Sequence, residues 1–158
     1  MPDNKPAAIE ASALPMKSGS SYPSPYDEPC KQRHRQVLGD VFGLTDFGVN
    51  YMTLSPGAWS SQRHWHTHED EFVFVLSGHP TLVTDAGETV LGPGMCTGFR
   101  AGDANGHHLV NRTEAPVAYL EIGSRKPDDD GYYSDIDMRI LKRAKGGRYT
   151  HKDGTAYP

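Results

Sequence analysis

The stretch Gly57-Ala-Trp-Ser-Ser-Gln-Arg-His64-Trp-His66-Thr-His-Glu-Asp-Glu71-Phe-Val-Phe-Val-Leu-Ser-Gly78 decides how the rest of the chain is read. On a β-strand, residues two apart share a face, with Cα atoms roughly 6.5–7 Å apart. His64 and His66 therefore aim their imidazoles at one point above a sheet. Thr67 to Asp70 forms a short turn, so Glu71 opens a second strand and brings a carboxylate back to that point. Val73 and Val75 continue the Glu71 face as apolar packing. Two nitrogens and an oxygen on rigid strands suit a divalent first-row metal and leave positions open for water or substrate. His66, His68 and Glu71 form a rival set with only two residues between the last histidine and the acid. His64 and His66 are the preferred pair, with His68 in the turn and Glu69 and Asp70 expected to be solvated.

Outward from this stretch, short alternating segments are separated by turn signals. Phe47 to Leu54 stops at Ser55-Pro-Gly57, Thr81 to Thr84 at Asp85-Ala-Gly87, and Glu88 to Leu91 at Gly92-Pro-Gly94. Trp59 to His66 and Glu71 to Leu76 supply two more. Met95 to Phe99 precedes the loop Ala101 to Gly106, and His107 to Asn111 and Val117 to Ile122 close the set. Short strands with a turn every ~8–12 residues predict an all-β sandwich or barrel over residues 37–123. The absence of βαβ alternation and of Walker or dinucleotide glycine patterns removes parallel nucleotide-binding sheets.

Residues 1–36 carry Pro2, Pro6, Pro15, Pro23, Pro25 and Pro29, with a turn or two of helix expected only at Ala7 to Leu14. They are read as an extended N-terminal arm laid over the barrel or over a neighbouring subunit. Residues 124–158 are read as a short C-terminal tail packed on or near the barrel. Within it, Asp128-Asp129-Asp130 lacks the alternating spacing of a calcium loop. Arg139, Lys142, Arg143, Lys145 and Arg148 read as a solvated basic surface.

The 158 residues fit one domain. Sixteen Lys and Arg against 20 Asp and Glu give a formal charge of −4, which argues against a nucleic-acid partner. No apolar run approaches the ~18 residues of a membrane span, and no signal-peptide core is present, so no membrane partner is expected. Cys30 and Cys96 make no disulfide framework, and a reduced cytoplasmic chain is expected. Cys96 is read as a buried core residue.

A fourth ligand is expected from a separate strand, and the pair His107-His108 is the candidate. Adjacent strand residues face opposite ways. If His107 points in, Leu109 and Asn111 follow it, and His108 and Val110 point out.

These residues resemble the cupin superfamily. Its first motif is a glycine, five or six residues, His-x-His, three or four residues, Glu, six residues and Gly; Gly57, His64, His66, Glu71 and Gly78 stand at those spacings. Its second motif is matched by Gly94, Gly102, His107 and Asn111, with Arg100 in place of a proline and a longer gap before the histidine. The chain is also similar to single-domain bacterial cupins, some labelled sugar-phosphate-isomerase-like. That likeness rests on Phe47 to Asn50, Trp59 to His66, His107 to Arg112, Tyr133 to Met138 and His151 to Gly154. The resemblance implies a double-stranded β-helix (jelly-roll) barrel and a homodimer. It also implies one divalent cation (Zn, Mn, Fe or Ni) on His64, His66, Glu71 and His107.

Gln62 shares the parity of His64 and is a candidate to reach substrate or metal-bound water. Arg100, near the barrel mouth, is the candidate contact for a substrate carboxylate or phosphate. Arg63 has outward parity and is assigned to a surface or dimer salt bridge, and Asn111 to structural hydrogen bonding. Trp59, Trp65 and Phe72 are read as packing residues. The functional expectation is a Lewis-acid enzyme of isomerase type acting on a sugar, a sugar phosphate or a hydroxy or keto acid. The alternatives are a metal-dependent binding or sensing module without turnover, or a dioxygenase or decarboxylase, because this barrel hosts many chemistries.

Overall fold

The computed structural model describes residues 5–141 and 147–157. Lys142, Arg143 and Lys145 of the basic stretch lie outside the described residues. Three antiparallel sheets form two facing layers. The first layer is six-stranded, in the order β1 (Lys17–Ser18), β2 (Arg33–Val37), β3 (Phe47–Leu54), β10 (Val117–Ser124), β5 (Glu71–Ser77) and β8 (Cys96–Phe99). In the second layer, β6 (Thr81–Thr84) lies between β7 (Gly87–Val90) and β9 (His108–Val110). It continues through β4 (His64–His66), β11 (Asp130–Tyr133), β12 (Arg139–Leu141) and β13 (Arg148–Thr150). An isolated bridge between His64 and His107 joins the two halves of this layer. The architecture is the expected all-β jelly roll.

Alternation puts the core between the layers. Met52 and Leu54 of β3, Val117 and Tyr119 of β10 and Val73 and Val75 of β5 meet Leu82 of β6 and Leu109 of β9 in one buried cluster. The opposite face of β5 is solvent-exposed, with Phe72, Phe74 and Leu76 at 40%, 36% and 39%. Phe72 is thus not the packing residue expected. Cys96 is exposed rather than buried, because it sits opposite Phe74 on that outer face.

Strand pairing extends beyond residues 37–123 on both sides. The first layer starts before residue 37, since Arg33 to Val37 pairs with β3 along its length. Where helix was expected at Ala7 to Leu14 there is a short 3₁₀ turn at Ala11–Ala13, whose Ala11 carbonyl accepts from Gln36 Nε2 at 2.7 Å, and a second such turn lies at Glu28–Cys30. Other described parts of the arm contact the barrel. Tyr22 packs edge-on to Tyr133 and against Tyr149, each at 5.5 Å between ring centroids. Trp59 N–H donates to the Pro29 carbonyl at 2.9 Å. In the tail, β11 is the hydrogen-bonded neighbour of β4.

Gly78 closes β5 at φ +76°, a left-handed conformation that costs glycine little. A Cβ there would stand 2.6 Å from Val117 Cγ1, a fully buried side chain. Gly78→Ala is expected to destabilise the fold by about 1–3 kcal/mol. Urea unfolding would show this as a lower midpoint at an unchanged slope; an unmoved midpoint would contradict the packing described.

Candidate metal centre

Strand pairing builds the site. His64 and His107 are cross-strand partners that exchange both backbone bonds, His64 N–H to His107 O at 3.2 Å and His107 N–H to His64 O at 2.9 Å. His66 follows on the same face of β4, and Glu71 opens β5 in the opposite layer. The four side chains meet between the layers. His64 Nε2 lies 3.2 Å from His66 Nε2, and Glu71 Oε2 lies 2.6 Å from His107 Nε2, 3.7 Å from His66 Nε2 and 3.9 Å from His64 Nε2. One ligand atom each from His64, His66 and Glu71 fits within 4.8 Å of the others, and His107 joins through the shared carboxylate.

The tautomers decide what this cluster is suited to hold. His64 Nδ1–H donates to the Gln62 carbonyl at 2.9 Å, and His66 Nδ1–H donates to Asp129 Oδ2 at 2.7 Å. With both protons directed outward, two unprotonated Nε2 lone pairs and a carboxylate face one another. Such an electron-rich arrangement fits a divalent cation and is poorly satisfied without one. Charge states agree with this. Burial, aided by His66 and His107, pushes the His64 pKa down to about 3, overcoming the attraction of Glu71. Burial alone would raise Glu71, but the His107 hydrogen bond and the neighbouring imidazoles hold its carboxyl well below the usual range.

Both shifts have the same consequence for stability. Between the ordinary histidine value of 6.5 and about 3, the unfolded chain takes up a proton at His64 that the folded chain refuses. Stability is therefore fully present above pH 6.5 and is lost as pH falls through that window. Glu71 adds a loss below its ordinary value of 4.5. Urea midpoints of the metal-free chain are expected to fall steadily from pH 7 to pH 4 (~neutral to mildly acidic); a flat profile would contradict the buried neutral His64.

Asp129 was passed over in the sequence as one of three consecutive acids without calcium-loop spacing. It is fully buried, and Oδ1 accepts from the backbone N–H of His68 at 2.8 Å and of Glu69 at 3.1 Å. One carboxylate thus shapes the Thr67–Asp70 turn and orients the His66 ring. Glu69 is not solvated as expected: its side chain is 12% exposed, and its Oε1 accepts from Lys126 N–H at 2.9 Å. Glu121 was also missed. It continues the inward face of Val117 and Tyr119, and an acid on an otherwise apolar face was the available signal.

The other candidates sort by geometry. His107, not His108, turns to the site, its ring stacked on Phe99. His108 packs edge-on to Trp59 and bonds the Ser61 carbonyl at 2.8 Å. Its outward face is covered, so His108 and Val110 are buried. Gln62 does not reach the site: Nε2 donates to the Tyr26 carbonyl at 2.8 Å and anchors the arm. Parity failed there because only His64–His66 forms strand, and residues before it run irregularly. Arg63 forks onto Asp135 at 2.7 and 2.9 Å and also pairs with Asp85, all within the chain. Asn111 bonds the Leu54 and Ala115 carbonyls at 2.9 and 2.8 Å, a structural role.

Two cavities flank the centre, and both are lined by His66, Glu69 and Glu71. The first, about 260 Å³, is walled by Trp65, Thr97, Arg100, Asp103 and Asn105. The Trp65 wall is stiffened by stacking on Tyr132 at 5.0 Å. The second, about 330 Å³, is walled by Lys17, Arg35, Asn50 and Glu121.

A solved structure from Silicibacter pomeroyi, described as a sugar phosphate isomerase from a cupin superfamily, is 44% identical to this chain. The two superpose with a TM-score of 0.92, and each covers 96% of the other. The chain belongs to the cupin superfamily. The cupin domain model itself matches residues 50–123, from the middle of β3 to near the end of β10. A polyketide cyclase from Streptomyces resistomycificus, 18% identical with a TM-score of 0.61, covers 75% of this chain and 79% of its own, and shares the fold alone. No curated protein matches the chain. Among the described residues, no helix is long and apolar enough to cross a membrane.

Proposed function

We propose that this cupin is a metal-dependent enzyme of isomerase type acting on a small polar substrate, with a sugar phosphate as the leading class. The observation that carries the reading is the pair of His64 and His66 Nε2 lone pairs facing Glu71 at the junction of the two cavities. The Silicibacter pomeroyi neighbour supports the substrate class. His64, His66, Glu71 and His107 would hold one divalent cation, and their mixed nitrogen and oxygen chemistry accepts Zn, Mn, Fe or Ni. When bound, the cation supplies Lewis-acid polarisation of a carbonyl oxygen.

The chain's own groups do the rest. Arg100 stands in the first cavity as a cation for an oxygen-rich substrate. An isomerase also needs a group that moves a proton between neighbouring carbons, and Glu121 is placed for it. Burial beside the Glu71 carboxyl raises its pKa from the ordinary carboxylate value, and Asn50 Nδ2 donates to its Oε1 at 3.1 Å. Glu121→Gln is expected to lower turnover by about 10²–10⁴-fold while bound metal stays unchanged. The decisive assay incubates metal-loaded protein with sugar phosphates and keto acids. Product formation lost in Glu121→Gln supports the enzyme, and saturable binding without product assigns a binding or sensing role instead.

The proposal includes a reducing cytoplasmic setting, in keeping with free thiols at Cys30 and Cys96. It also includes a homodimer formed across Phe72, Phe74 and Leu76, an apolar face that a second copy would cover. Sedimentation of Phe74→Glu is expected to show a monomer, and an unchanged mass for wild type and variant would count against that interface.

A further inference from the structure

The second cavity holds a pair of cations that the metal chemistry leaves unused. Lys17 and Arg35 are directly opposite one another in the β1–β2 ladder, and Arg35 is opposite Met52 in the β2–β3 ladder. Residues opposite each other share a face, and Met52 is wholly buried in the core. Lys17 and Arg35 therefore stand on the inner side of the sheet, in the row that continues through Met52 and Tyr119 to Val75. Both line the 330 Å³ cavity that also contains His66 and Glu71.

The neighbouring charges are largely committed elsewhere. Arg125, in the same cavity, pairs with Asp40 and donates to the Leu44 carbonyl at 2.9 Å. Arg33 donates to the Ser60 carbonyl at 2.7 Å and lies close enough to Glu121 to offset its charge. Glu69 is held by the Lys126 amide, and Glu121 by Asn50. Arg35 lies close enough to Glu121 to offset its charge, but its Nε, like that of Arg33, is buried with no hydrogen-bond partner among the described residues. A buried guanidinium nitrogen left without an acceptor is costly, and an anionic oxygen is the group that best satisfies it.

We propose that this cavity is the subsite for the anionic group of the substrate, a phosphate or a carboxylate, held by Lys17 Nζ and the Arg35 guanidinium. The inference rests on the metal-dependent reading in placing the rest of the substrate at His66 and Glu71. It gives the N-terminal arm a direct role, because β1 and β2 bring both cations to the centre. Arg100 then serves the uncharged, hydroxyl-bearing end in the first cavity.

The test uses the zinc-loaded full chain, with metal content measured first. Calorimetric titration compares fructose 6-phosphate, fructose and malate in wild type, Lys17→Gln, Arg35→Gln and Arg100→Gln. Lys17 is exposed, so its replacement reports on the ligand and not on folding. Wild type is expected to bind the phosphate ester about tenfold or more tighter than fructose, and Lys17→Gln and Arg35→Gln each to erase about that factor. Fructose affinity and zinc content should not change. The same pattern with malate, and not with the ester, would make the anion a carboxylate and equally support the subsite. The proposal is overturned if both variants keep their zinc and bind ester and malate as wild type does, or if only Arg100→Gln lowers anion affinity. Should the chain take up no metal, the proposed function fails. The subsite then stands on inorganic phosphate alone: binding weakened by Lys17→Gln upholds it, and equal or absent binding overturns it.

Discussion

Replacing His66 by alanine is expected to abolish stoichiometric metal binding and turnover together. His66 is shared by both cavities, and its Nε2 lies 3.2 Å from His64 Nε2 and 3.7 Å from Glu71 Oε2. Its loss removes one of four donors and opens the middle of the cluster. It also strips the fully buried Asp129 of the ring proton it accepts at 2.7 Å. An unsatisfied buried acceptor costs about 1–3 kcal/mol, so the metal-free variant should also melt earlier than metal-free wild type. His68→Ala is the matched control, because that side chain is 51% exposed in the turn. Elemental analysis and thermal unfolding with and without added metal read both effects. Retention of full metal content by His66→Ala would remove the basis for the site.

Asp129→Asn separates orientation from folding. The amide oxygen can still accept the His68 and Glu69 N–H groups, so the turn is kept. The amide NH₂ then faces His66 Nδ1 and can only donate to it. His66 must carry its proton on Nε2, where a metal ligand needs a lone pair. Metal affinity is expected to fall about 10–100-fold, the usual cost of disturbing a ligand's outer hydrogen bond, with a small change in stability. Asp129→Ala should lose both, because the turn amides are then unsatisfied as well. Competition against a metal-binding dye, beside urea unfolding, distinguishes the two variants. Equal metal affinity in wild type and Asp129→Asn would show that the ring is oriented by packing alone.

Much of the centre could be read in the chain because it depends on local geometry. His64, His66 and Glu71 lie within eight residues, and strand alternation with one short turn converts that spacing into convergence. The same alternation marks Val73, Val75 and Tyr119 as core. Where the chain is not a regular strand, the rule fails. Gln62 shares parity with His64 on paper, yet the irregular run before β4 turns it to the Tyr26 carbonyl. Cys96 and Phe72 were misjudged for a related reason: alternation separates two faces without telling which one meets solvent.

The sequence by itself determined an all-β barrel, the inward triad of two histidines and a glutamate, and the family resemblance that the 44% identical neighbour bears out. Tertiary structure alone decided the rest. It chose His107 over His108 through a bridge to His64, 43 positions away, and placed Asp129 behind His66 by pairing β11 with β4. It also carried Lys17 and Arg35 to the same cavity through the registers of β1 and β2. The physical reason is common to all three. Alternation is a property of one strand, whereas the partner and register of a strand are set by the whole chain's competition for buried apolar surface and backbone hydrogen bonds.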